Sequence, residues 1–194
     1  MKYLKLISLL LVAMLSSLFV SCEETAEVDE YANWQERNEA FIDSIARVAE
    51  TNADGRWVRI LANDLNSTDI TGKPAEHDTE DYIYCYIKIE GEGSEHPLTT
   101  ALVNYRGRLI PTSSKPEGKI FDESYKGEPN PATNKPVEFA LKDVVNGWET
   151  ALTHMVKGDI WRVYIPANLG YRAQKKTDIP AYSTLIFDLH LVDF

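Results

Sequence analysis

The chain has 194 residues, a formal charge of −10 and ordinary apolar and aromatic content, which suits one globular domain with an N-terminal extension and is cramped for two. Its acidic balance argues against a nucleic-acid partner, since neutralising phosphates takes clustered Lys and Arg, and Lys175-Lys176 is too short a run to count. With two cysteines and four scattered histidines (His77, His96, His154, His190), there is no disulfide framework, and neither a metal nor a cofactor is expected.

Residues 1–21 read as a signal peptide. Lys2 and Lys5 precede an apolar run broken only by serines, too short and charged only at its start to be a membrane span. Residues 18–22 (LFVSC) resemble the lipobox of bacterial lipoproteins, with Phe19 where that family usually has Leu. That resemblance implies lipidation at Cys22, which would leave Cys85 as the one remaining thiol. It also implies an extracytoplasmic protein anchored to a bacterial membrane, on the periplasmic or the surface face. Residues 22–30 are acidic with little to bury, as expected of a tether.

Residues 31–81 read as a helical extension and linker. Tyr31, Trp34, Phe41, Ile42, Ile45 and Val48 recur at helical spacing, predicting an amphipathic helix that docks on the domain or meets a partner. Residues 57–61 suit a strand, and 63–81 a polar loop. From residue 82 the pattern turns to strands: 82–90, 98–109, 120–124 and 137–141, separated by Gly- and Pro-rich turns. Val144, Val145, Trp148, Leu152 and Met155 then form one face of a short helix, ended by Gly158. After it Trp161, Val163 and Ile165 alternate with Ile160, Arg162 and Tyr164. The last strand, 183–194, alternates in the same way. Strands around one short helix predict an α+β domain, a curved antiparallel sheet wrapped on that helix.

Several motifs in order carry a further resemblance. They are residues 103–109 (VNYRGRL), 118–124 (GKIFDES), 144–155, Gly158-Asp159, Ile165-Pro166, Tyr171 and 179–188 (IPAYSTLIFD). Over residues 82–194 the chain resembles the FKBP-type peptidyl-prolyl cis-trans isomerases. The resemblance implies the same α+β fold, isomerase activity on proline-containing polypeptides and a pocket of the kind that takes macrolide inhibitors. It implies catalytic roles for Asp122, Tyr171 and Trp148, with Tyr105, Phe121, Val144, Val145, Ile179 and Phe187 binding substrate. Trp148 would floor the proline ring, Asp122 would sit beside the twisting amide, and the Val145 N–H and Tyr171 hydroxyl would bind carbonyls.

Three features depart from that family. Val137 stands where an aromatic wall residue is expected, Arg172 where Gly often follows the loop Tyr, and residues 173–178 (AQKKTD) replace a Gly- and Pro-rich stretch. Val137 and Arg172 favour the alternative reading, a non-catalytic binding module or holdase of the cell envelope. No nucleophilic elbow is present, and Cys85 lies in a strand without a nearby basic residue.

Overall fold

The β-rich stretches all enter one sheet. The computed structural model describes residues 29–65, 67–69, 71–127, 130 and 133–194; the signal-like run, Cys22 and most of the acidic tether lie outside them. The strands are β1 (Trp57–Leu61), β2 (Tyr82–Ile89), β3 (Thr100–Arg108), β4 (Ile120–Glu123), β5 (Val137–Ala140), β6 (Ile160–Ile165) and β7 (Leu185–Asp193). Their order is β1-β2-β6-β7-β3-β4, with β5 also on β3, and every pairing is antiparallel. The two short strands share one edge of β3: β5 pairs with its first half and β4 with its second.

Alternation along each strand divides the sheet into two faces. The inner face buries Ile83, Cys85, Val103, Tyr105, Trp161, Val163, Phe187 and Leu189 against α2 (Asn146–Leu152). This helix is shorter than the spacing predicts. Val144 and Val145 are extended, and the first helical bonds run from the Trp148 and Glu149 amides to the Val145 carbonyl. Paired β-branched residues favour that extended entry. Gly147 then lets the helix press on β6, for a Cβ there would lie 2.4 Å from Ile165.

The outer face carries the longer helix, α1 (Trp34–Thr51). The helix docks, with Ile42 buried and Phe41 6.2 Å from the Tyr164 ring. Asn52 ends it in the left-handed region and brackets Trp57 with two side-chain bonds, so the end of α1 is tied to the start of β1. Beyond α1, one carboxylate spans four strands. Asp188 on β7 takes two bonds from Arg162 on β6 (2.8 and 2.9 Å), one from Lys88 on β2 (2.5 Å) and one from Arg108 on β3 (3.0 Å). Burial raises its pKa, but the Arg162 and Lys88 contacts outweigh that and hold it at about 2.

Candidate functional site

A cavity of about 480 Å³ opens between β3, β4, β5, the start of α2 and the loop after β6. Its floor is Trp148, 4% exposed, ringed edge-to-face by Tyr105, Phe139 and Phe187 at centroid distances of 5.3, 5.0 and 5.1 Å. Edge-to-face contacts align the positive rim of one ring with the negative face of the next, which fixes orientation as well as area. Phe121 extends the wall by packing on Phe187 at 5.4 Å. Gly107 makes this possible: a Cβ there would fall 2.5–2.6 Å from atoms of both Phe187 and Phe121.

The polar groups are few and placed at the rim. Asp122, on β4, accepts a hydrogen bond from the Tyr105 hydroxyl at 2.8 Å. Burial and that bond push the Tyr105 pKa well up, so the phenol stays protonated and keeps donating. Tyr171, after the short helical turn Ala167–Leu169, is also raised, by burial first and then by the Asp122 charge. Its hydroxyl is thus a neutral donor facing the same cavity. Val144 and Val145 lie at the α2 entrance, where the Val145 N–H stands ahead of the helix's own bonds. Ile179 closes the far side and is buried.

The structure therefore gathers all nine residues singled out above, Tyr105, Phe121, Asp122, Val144, Val145, Trp148, Tyr171, Ile179 and Phe187, around one cavity. Cys22 lies outside the described residues. Val137 remains a departure, yet the wall keeps an aromatic from the same strand. Val137 is 40% exposed and pairs with Val103, while Phe139, two residues on along the same face of β5, packs on Tyr105 and Trp148 and lines the cavity. The shared parity of the two positions was the available signal. Arg172 keeps the left-handed backbone a glycine would take (φ 55), with its Nε donating to the Asn168 carbonyl at 2.9 Å.

Sequence reasoning also passed over Asp143, Lys176, Thr177 and Asp178, which join the cavity wall. The Lys176 ammonium lies 5.0 Å from the centre of the Tyr171 ring, and Asp178 accepts a bond from Lys119 at 2.8 Å.

Comparison with known proteins agrees with this geometry. The chain is 41% identical over 105 residues to FKBP-type peptidyl-prolyl cis-trans isomerase FkpA of Buchnera aphidicola subsp. Schizaphis graminum, a match covering 53% of this chain and 37% of that protein. It is 38% identical over 104 residues to peptidyl-prolyl cis-trans isomerase Mip of Coxiella burnetii, covering 53% of this chain and 40% of the other. The chain thus spans well under two thirds of the length of these curated relatives. Among solved structures, FkpA from Escherichia coli superposes with a TM-score of 0.55 at 27% identity, covering 84% of this chain and 61% of the other. A family model described as FKBP-type peptidyl-prolyl cis-trans isomerase matches residues 92–192, more than half of the chain, and the protein belongs to that family.

Proposed function

We propose that the pocket catalyses rotation about X–Pro bonds in polypeptides folding outside the cytoplasm. The observation that carries this reading is the aromatic box on Trp148 with the Asp122 carboxylate, bonded by Tyr105, beside it. Rotation faces a barrier of about 18–20 kcal/mol because amide resonance keeps the bond planar. Such a step needs no nucleophile. A twisted amide is less polar than a planar one, so a water-poor aromatic box favours it over the ground state. The Tyr171 hydroxyl and the Val145 N–H suit the substrate carbonyls, and the Asp122 oxygen left by Tyr105 suits the rotating amide. The presence of Phe139 in the wall and the retained backbone at Arg172 support turnover over mere binding.

In this reading residues 82–194 are the isomerase region, supported by 31–81, and macrolide inhibitors compete for the proline site. Lipidation at Cys22 holds the enzyme to the cell envelope through the acidic tether. The test is isomerisation of short X–Pro peptides by the chain from residue 23, beside Asp122→Val and Tyr171→Phe. Loss of one transition-state hydrogen bond should lower kcat/KM about tenfold in each. A folded wild type that accelerates no X–Pro peptide refutes the isomerase reading. Labelled palmitate that enters the chain regardless of Cys22→Ser refutes the anchor.

A further inference from the structure

The first turns of α1 hold the loop that closes the pocket. Trp34 Nε1–H donates to Ser183 Oγ at 2.8 Å, and the Ser183 hydroxyl donates to the Pro180 carbonyl at 2.7 Å. One turn on, Asn38 Oδ1 accepts the Thr184 N–H at 2.8 Å, while Asn38 Nδ2 donates to the Trp34 carbonyl at 2.6 Å. Asn38, Ser183 and Thr184 are 2%, 3% and 1% exposed. Bonds at that depth are expensive to leave unmade, so they hold one geometry against its alternatives. The run they hold, 180–184, follows directly on Ile179.

A second link comes from just upstream. The Glu30 carboxylate accepts from the Thr112 and Ser114 hydroxyls. Lys119, further along that β3–β4 connection, reaches Asp178 in the cavity wall. Trp34 and Asn38 thus hold the pocket loop directly, while Glu30 holds the β3–β4 connection from which Lys119 reaches it.

The loop needs such a grip. Its neck is closed by the Tyr182 N–H donating to the Arg172 carbonyl at 2.8 Å, and both residues sit in the left-handed region, at φ 59 and 55. Side chains disfavour that region. Conformations of this kind persist where the surroundings over-determine them.

We infer that Trp34 and Asn38 are positioning residues of the pocket. They set Ile179, and through the loop neck Tyr171, against the sheet-borne wall, and so govern how tightly a proline segment is held. The effect on turnover rests on the isomerase reading; the effect on the loop does not.

The experiment uses the chain from residue 23 with Trp34→Phe, Asn38→Ala, Ser183→Ala and the Trp34→Phe/Ser183→Ala pair. Phe41→Leu is the control, because Phe41 docks α1 on Tyr164 of β6. Amide hydrogen exchange over 171–184 should quicken about tenfold in Trp34→Phe and Asn38→Ala and stay put in Phe41→Leu, with all variants compared at equal distance below their unfolding midpoints. KM for an X–Pro peptide should rise about fivefold in Trp34→Phe and Asn38→Ala with kcat kept within about twofold. Ser183→Ala should add little to Trp34→Phe, since the bond is already gone. Exchange that quickens equally in Phe41→Leu, or in none of the variants, overturns the inference. Should the wild type fail to isomerise any peptide, the isomerase reading falls and the exchange pattern alone decides the loop's support.

Discussion

The two walls of the pocket are built in different ways. Tyr105, Phe121, Asp122, Phe139 and Phe187 stand on β3, β4, β5 and β7, where ladder bonds on both sides of β3 fix their spacing. Tyr171 and Ile179 hang on a loop whose neck is strained and whose support arrives from a helix 146–149 residues earlier in the chain. A sheet wall shares its constraint among many similar bonds, so no one bond decides it. The loop wall rests on a handful of buried polar contacts, each of which matters. The sheet wall is thus set by strand pairing, and the loop wall by contacts with α1.

The sharpest way to break the sheet wall is Gly107→Ala. Gly107 lines nothing, yet an added Cβ would collide with the Phe121 and Phe187 rings. Overpacking of this kind costs about 1–3 kcal/mol. The rings must tilt, so kcat/KM should fall with stability, as urea unfolding and peptide isomerisation would record. Unchanged values for both would mean that the rings have slack and that strand geometry does not set the wall.

A second, somewhat smaller effect separates the walls by pH. Asp188 lies on the outer face, one residue beyond Phe187 on β7, and joins four of the strands. Its folded pKa, about 2, is below the ordinary 3.8. A lowered carboxylate pKa contributes stability above the unfolded value and loses it as pH falls toward the folded one. About 2 kcal/mol should therefore be lost between pH 4 and pH 2, and Asp188→Asn should flatten that limb of the stability profile. Because the clamp bears on strands, β7 amides should lose exchange protection across this range before the loop does. A limb that stays steep in Asp188→Asn would place the acid sensitivity elsewhere.

The same division decides what could be read from the chain. Period-two alternation was enough to separate Trp161, Val163 and Ile165, which the structure buries, from Ile160, Arg162 and Tyr164, because alternation is a local property of a strand. Parity put Val137 and Phe139 on one face, but which of the two reaches the cavity depends on pairing with Val103 and Ala101, a register that no local pattern contains. The late start of α2 reflects two β-branched residues whose extended backbone outweighs a helical spacing. Asp188 looked like one acid among 30; its three cations meet only because β2, β6, β7 and β3 are neighbours in the sheet. Trp34 read as one more apolar position, and its indole N–H found Ser183 only through the fold.

The smallest expected effect tests whether the loop wall tolerates its departure from glycine. Arg172→Gly removes a left-handed side-chain penalty of about 1–2 kcal/mol. It also loses the Nε bond to the exposed Asn168 carbonyl, worth about 0.5–1 kcal/mol, and it frees the unfolded chain by about 0.4–1 kcal/mol. These terms nearly cancel, so the melting temperature should move by only a few degrees at most. With the neck bond to Tyr182 made by backbone, kcat/KM should stay close to wild type. A several-fold rise in kcat/KM would show instead that Arg172 restrains turnover, and the loop wall would then be the part of this pocket adapted for holding chains more than for turning them.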